Sequence, residues 1–111
     1  MNNDCIFCKI VAGEIPCKKA YEDDEVLAFY DIAPQAPVHI LIIPKVYTED
    51  ITLGNAALAG RCLAVASKLA GELGLADGYR IVTNKGAHAG QTVAHLHFHL
   101  LGGRQLGLSM G

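Results

Sequence analysis

The stretch Ala94 to Arg104, AHLHFHLLGGR, sets the tightest limit on what this chain can form. Side chains alternate across a strand, so His95, His97 and His99 share one face while Leu96, Phe98 and Leu100 share the other. The apolar set demands a core beneath it. The imidazole set needs a site, a polar network or water. Same-face neighbours have α-carbons roughly 6.6 Å apart, which lets adjacent imidazoles converge on one ion but makes convergence of all three difficult. Alternation alone leaves three readings open: a metal pair awaiting a further ligand, a catalytic or anion-binding cluster, or a strand without chemistry. A third ligand would have to come from His39, His88 or a cysteine, because no Asp or Glu follows Asp77.

A chain of 111 residues has room for one domain, 1–111, that buries roughly 60 to 70% of its unfolded surface. Apolar residues make up 51% of it, yet no run approaches the roughly 20 residues that span a bilayer. Met1-Asn2-Asn3-Asp4 lacks the basic start and apolar stretch of a secretory signal, so the expected location is the cytoplasm. There, Cys5, Cys8, Cys17 and Cys62 are expected as reduced thiols. The net charge of -2, the pI near 6.2 and the scattered Lys and Arg argue against long nucleic acid and leave a single nucleotide open as a ligand.

Short apolar runs punctuated by Gly, Pro and Asp surround one long helical stretch, which predicts an α+β domain. Residues 5–12, between Asp4 and Gly13, read as a short helix capped by the Asp4 side chain. Lys19 to Glu22 and Val26 to Tyr30 read as an antiparallel pair around the acidic turn Asp23-Asp24-Glu25. Val38 to Ile43, rich in β-branched residues and stopped by Pro44, reads as an inner strand. Leu58, Cys62, Val65, Leu69 and Leu73 recur at helical spacing, placing the main helix over Asn55 to Leu73. Its Ala and Gly positions admit close packing, either within the subunit or against a second copy. Tyr79 to Asn84 and the histidine stretch, ending at Gly102-Gly103, complete five strands. One antiparallel sheet with both helices on one side is the simplest arrangement.

The loop before the last strand favours phosphate. His88-Ala89-Gly90-Gln91-Thr92 places small residues, an amide and a hydroxyl where backbone N–H groups can surround an anion. Phosphoryl transfer asks for in-line attack and for charge stabilisation on the non-bridging oxygens. Neutral imidazole is a competent nucleophile near pH 7 and protonated imidazole is a donor or acid, so one strand can supply both forms.

With these segments in place, His95-Leu96-His97-Phe98-His99-Leu100-Leu101 resembles the motif of the histidine triad (HIT) family. DIAPQAPVHILIIPK (Asp31 to Lys45), GQTVAHLHFHLLGGR (Gly90 to Arg104) and CIFCKIVAGEIP (Cys5 to Pro16) are similar to its purine nucleoside phosphoramidase branch. The resemblance implies a HIT-like fold, a homodimer whose two five-stranded sheets join into ten strands, and hydrolysis of purine nucleoside 5'-phosphoramidates to nucleoside monophosphate and amine. It implies His97 as the nucleophile, through a nucleotidyl-histidine intermediate, His99 as a phosphate contact, and His95 and His39 as supports. It also implies Asp31 on the ribose hydroxyls, an apolar base pocket from Phe7, Ile10, Ile15, Phe29 and Ile32, and Asn84, Gly90, Gln91, Thr92 and Val93 around the phosphate. No metal is implied for the reaction. Cys5 and Cys8 resemble a structural zinc half-site of some relatives, with His95 a further ligand, although Tyr47 stands where those relatives carry another histidine. Thr92 stands where Ser is usual. Gln91-Thr92-Val93 is also similar to the dinucleoside polyphosphate hydrolases of the superfamily, and a nucleotide-binding module with incidental hydrolysis is a further alternative.

Overall fold

A computed structural model describes residues 5–110. The chain opens with helix α1 (Ile6–Val11), whose first turn is capped by the Cys5 sulfur accepting from the Cys8 amide at 3.1 Å. The expected cap, Asp4, lies outside the described residues. Strand β1 (Lys19–Glu22) turns into β2 (Val26–Tyr30) through Asp23, whose Oδ1 accepts from the amides of Glu25 and Val26, each at 2.8 Å. That carboxylate closes the turn locally, as an Asp placed between two strands should. Strand β3 (Val38–Pro44) follows, then helix α2 (Ala56–Glu72), β4 (Tyr79–Val82) and β5 (Phe98–Gly102). All neighbouring strands are antiparallel, in the order β1-β2-β3-β5-β4.

The helices do not share one side of the sheet. Strands β2 and β3 are apolar at nearly every position, so both of their faces need cover. Val26, Ala28, Ile40 and Ile42 pack with α2, whereas Leu27, Phe29, Leu41 and Ile43 pack with Cys5, Phe7 and Cys8 at α1. Each fully buried Leu or Ile contributes roughly 1.5–3 kcal/mol. The stripe of α2 that meets the sheet is Ala59, Cys62, Val65, Ala66, Leu69 and Ala70. Alanines carry much of it because a small side chain lets the helix axis approach the sheet closely, while the predicted Leu73 is the partly exposed C-cap.

The last strand is shorter than its alternation predicts. Pairing with β3 begins at Phe98, because the Leu96 amide donates to Thr48 O at 2.7 Å instead of to a strand partner. The side-chain alternation nevertheless holds over the whole stretch. Leu96, Phe98 and Leu100 belong to the core under α2, and the three imidazoles lie on the α1 side. Among the described residues, no helix is long and apolar enough to cross a membrane.

Candidate active site

Strand register brings the first two imidazoles together. His39 on β3 is paired with Leu101, and Leu41 is paired with His99, so His39 and His99 are diagonal neighbours across the ladder. Their rings meet with Nε2 of His39 2.9 Å from Nδ1 of His99. His97 follows, its ring centroid 5.1 Å from that of His99 and 5.1 Å from that of Phe7. His95, wholly buried, lies beyond it toward Cys5 and Cys8.

Backbone groups decide which nitrogen of each ring carries the proton. An amide must donate and a carbonyl must accept. His97 Nδ1 lies 2.7 Å from the carbonyl of His95, so Nδ1 donates and Nε2 keeps its lone pair. His95 Nε2 donates to Pro44 O at 2.9 Å, which leaves the Nδ1 lone pair facing the cysteine sulfurs. His39 has the opposite constraint. The Gln35 amide donates to its Nδ1 at 3.0 Å, so the proton of the neutral ring is on Nε2 and is donated to His99 Nδ1. His99 in turn holds its own proton on Nε2. Burial favours the neutral form of His39, His95 and His99. Desolvation is the main cause that pushes the pKa of His39 and His95 down, and His99, with His97 and His39 adding to its desolvation, falls to about 4. The Asp31 carboxylate, 3.5 Å from His39 Nε2, and Pro44 O on His95 act in the other direction.

The surroundings divide into an apolar cluster and a loop. Phe7 and Phe29 are buried edge-to-face at 5.7 Å, with Ile10 packed beside them and Ile15 half-buried. Ile32 is fully exposed, so it is no part of the core. Asp31 turns Oδ1 to the Ala33 amide at 2.8 Å and Oδ2 toward His39. Asn84, half-buried, ends the segment after β4. Gly86 and Gly90 take positive φ of 82° and 78°, which shapes the loop that leads to Thr92 and Val93. The Gln91 side chain is turned inward. Its oxygen accepts from the Gly86 amide at 2.9 Å, and its nitrogen donates to Glu49 O at 2.8 Å and Val93 O at 3.1 Å. Gln91 therefore braces the loop. Thr92 is exposed and Val93 half-buried, whereas His88 is exposed and joins neither histidine group.

Two groups of described residues bring three ligand-type atoms within 4.8 Å: Cys5, Cys8 and His95, and Asp31, His39 and His99. Cys5 and Cys8 are paired as a disulfide, contrary to the expectation of reduced thiols, because the first turn of α1 brings their α-carbons to 5.2 Å. His95 Nδ1 lies 3.3 Å from one sulfur and 3.5 Å from the other. Once reduced, two sulfurs and a neutral imidazole lone pair form a donor set that suits zinc. The Tyr47 ring, edge-on to His95 at 5.5 Å, stands beside it and offers no imidazole. The other group fits a metal poorly, since His39 Nε2 bears the proton that Gln35 excludes from Nδ1.

Sequence reasoning does not reach several of these parts. The Thr83 hydroxyl donates to the His97 carbonyl at 2.7 Å, and the carbonyl of Pro44 and the amide of Gln35 each select a tautomer. Thr83 has no signal beyond its place at the end of a predicted strand, and a backbone amide or carbonyl has none at all.

The fold and the site together define a small α+β protein with a row of imidazoles on one face of its sheet, ordered by main-chain hydrogen bonds. The chain belongs to the HIT domain family, whose model matches residues 12–106. It is 49% identical over 111 residues to the purine nucleoside phosphoramidase of Escherichia coli K12, covering 96% of this chain and 93% of that protein. It is 52% identical over 109 residues to an uncharacterized HIT-like protein of Synechococcus elongatus, covering 96% of each. A HIT family hydrolase from Clostridium thermocellum superposes with a TM-score of 0.91 at 46% identity, covering 99% of both chains. A histidine triad protein from Clostridium difficile gives 0.93 at 43% identity, with 99% of both covered.

Proposed function

We propose that this protein hydrolyses purine nucleoside 5'-phosphoramidates, releasing nucleoside monophosphate and an amine. The observation that carries this reading is the His97 tautomer. Its Nδ1–H is tied to the His95 carbonyl at 2.7 Å, which frees Nε2 as a lone pair beside His99. Nε2 attacks the α-phosphorus in line, the P–N bond breaks, and the amine departs as its nitrogen takes up a proton from solvent. Water then attacks phosphorus and releases a proton to solvent, the bond to His97 breaks, and the Nε2 lone pair returns. The Nε2–H of His99 donates to the phosphate oxygens as charge gathers on them. The relative from E. coli, named for this activity, supports the substrate class.

Phe7, Phe29, Ile10 and Ile15 form a flat apolar slot for the purine, with Ile32 at its mouth, and Asp31 accepts from the ribose hydroxyls. Asn84, Gly90, Gln91, Thr92 and Val93 frame the phosphate. The protein acts as a cytoplasmic homodimer that joins two sheets at an edge. Exposed edge strand β4, with Tyr79 at 44% exposure, and the small-residue outer face of α2 support that assembly. The step needs no metal. In the reduced protein Cys5, Cys8 and His95 would hold a structural zinc, anchoring α1 to the histidine stretch.

The test is hydrolysis of an adenosine phosphoramidate by chelator-treated protein, beside a dinucleoside polyphosphate. Turnover of the phosphoramidate that survives chelation is the expected result. Loss on chelation with recovery on zinc, or faster turnover of the dinucleotide, would overturn the assignment.

A further inference from the structure

The amide that meets His39 belongs to a loop that the chain just after the last strand holds from outside. Gly103 has φ +95°, and a side chain there would begin 3.0 Å from the Pro37 Cβ, so the chain can pass close to the 32–37 loop only as glycine. The next residue then lies over that loop. Arg104 donates through Nη2 to the Gln35 carbonyl at 2.9 Å, and through Nη1 to its neighbour Gln105 at 2.9 Å. Gln35 steadies the same loop with its side chain, Nε2 to Ala33 O at 3.1 Å, and its amide is the donor to His39 Nδ1.

We infer that Arg104 is a positioning residue: by holding Gln35 it keeps His39 in the Nε2–H tautomer, and so obliges His99 to present an N–H to the reacting phosphate. The inference rests on the phosphoramidase reading for its kinetic consequence, and on geometry alone for the tautomers. Its logic is a chain of hydrogen bonds with one direction. The Gln35 amide donates to His39, His39 donates to His99, and His99 donates outward. If the loop drifts from His39, Nδ1 of that ring is free to take the proton. Nε2 then accepts from His99, and His99 turns a lone pair toward phosphate oxygens that already carry lone pairs. A charged side chain outside the slot thus governs the polarity of a group inside it.

The experiment compares the intact wild-type protein with R104A and R104K. Long-range proton–nitrogen spectra of the imidazoles read the tautomers without substrate, and kcat and KM are measured on an adenosine phosphoramidate. R104A is expected to mix Nδ1–H forms into His39 and His99 and to lower kcat about tenfold, while KM moves less than about twofold. R104K, which retains a donor to the Gln35 carbonyl, is expected to recover most of both. Wild-type tautomers in R104A would overturn the inference, as would a loss confined to thermal stability or to KM. Should wild-type protein fail to turn over the phosphoramidate while R104A still shifts the tautomers, the functional reading falls and the positioning role stands.

Discussion

The two polar clusters on the α1 side of the sheet are built from similar parts and are suited to opposite tasks. Each gathers three ligand-type atoms within 4.8 Å. In one, Pro44 O accepts from the Nε2–H of His95, which turns the Nδ1 lone pair to the sulfurs. In the other, the Gln35 amide occupies His39 Nδ1, and a proton points into the cluster. The backbone group behind the ring therefore separates an imidazole that turns a lone pair to its neighbours from one that turns a proton to them. His97 stands between them, fixed by the His95 carbonyl and touched by the His99 ring.

The largest effect should come from that middle ring. His97→Ala is expected to lower phosphoramidase turnover at least about a thousandfold with the fold retained, since its Nε2 lone pair is the proposed nucleophile. Turnover above that level, with normal circular dichroism, would remove His97 from the role of nucleophile.

Metal binding draws the contrast next. Reduced protein titrated with cobalt should develop thiolate charge-transfer absorption. Cys5→Ser or His95→Ala should weaken that binding about a hundredfold, while Asp31→Asn leaves it unchanged. A cobalt site that survives loss of Cys5 and disappears with Asp31 would invert the comparison.

The low pKa values give a smaller effect with a definite sign. His39, His95 and His99 all titrate below their ordinary value in the folded chain, His99 at about 4. Below pH about 6.5 the unfolded chain binds more protons, so stability is complete above that pH and declines as pH falls toward about 4. Melting temperatures across this range should show the decline, and His99→Asn should flatten it. A rise in melting temperature on acidification would contradict the buried neutral state.

The smallest expected change is at Thr83, whose hydroxyl supports the His97 carbonyl. Thr83→Val should cost about 1 kcal/mol in stability, read by urea denaturation.

The sheet was legible because its signals are local. Alternation at residues 95–100 separates core from imidazole face, the β-branched run at Val38 to Ile43 marks an inner strand, and a period near 3.6 marks α2. The placement of α1 was not legible, because a short apolar helix packs equally well on either side until β2 and β3 are seen to be apolar on both. Pairing of β5 begins three residues after His95 because the Thr48 carbonyl captures Leu96, a contact across 48 residues that no pattern announces. The histidines were legible as a group and not as individuals. Their differences come from the carbonyls of Pro44 and His95 and the amide of Gln35, groups that every residue, or nearly every residue, carries. Gln91 illustrates the same limit from the other side, since its position beside the loop was evident but its inward turn depends on the carbonyls of Glu49 and Val93.

The division of labour among the four rings is most directly tested by the long-range proton–nitrogen spectrum of the wild-type imidazoles at neutral pH. His39, His95 and His99 should each appear as the neutral Nε2–H form and His97 alone as Nδ1–H. His97 protonated at Nε2, or His39 protonated at Nδ1, would contradict it.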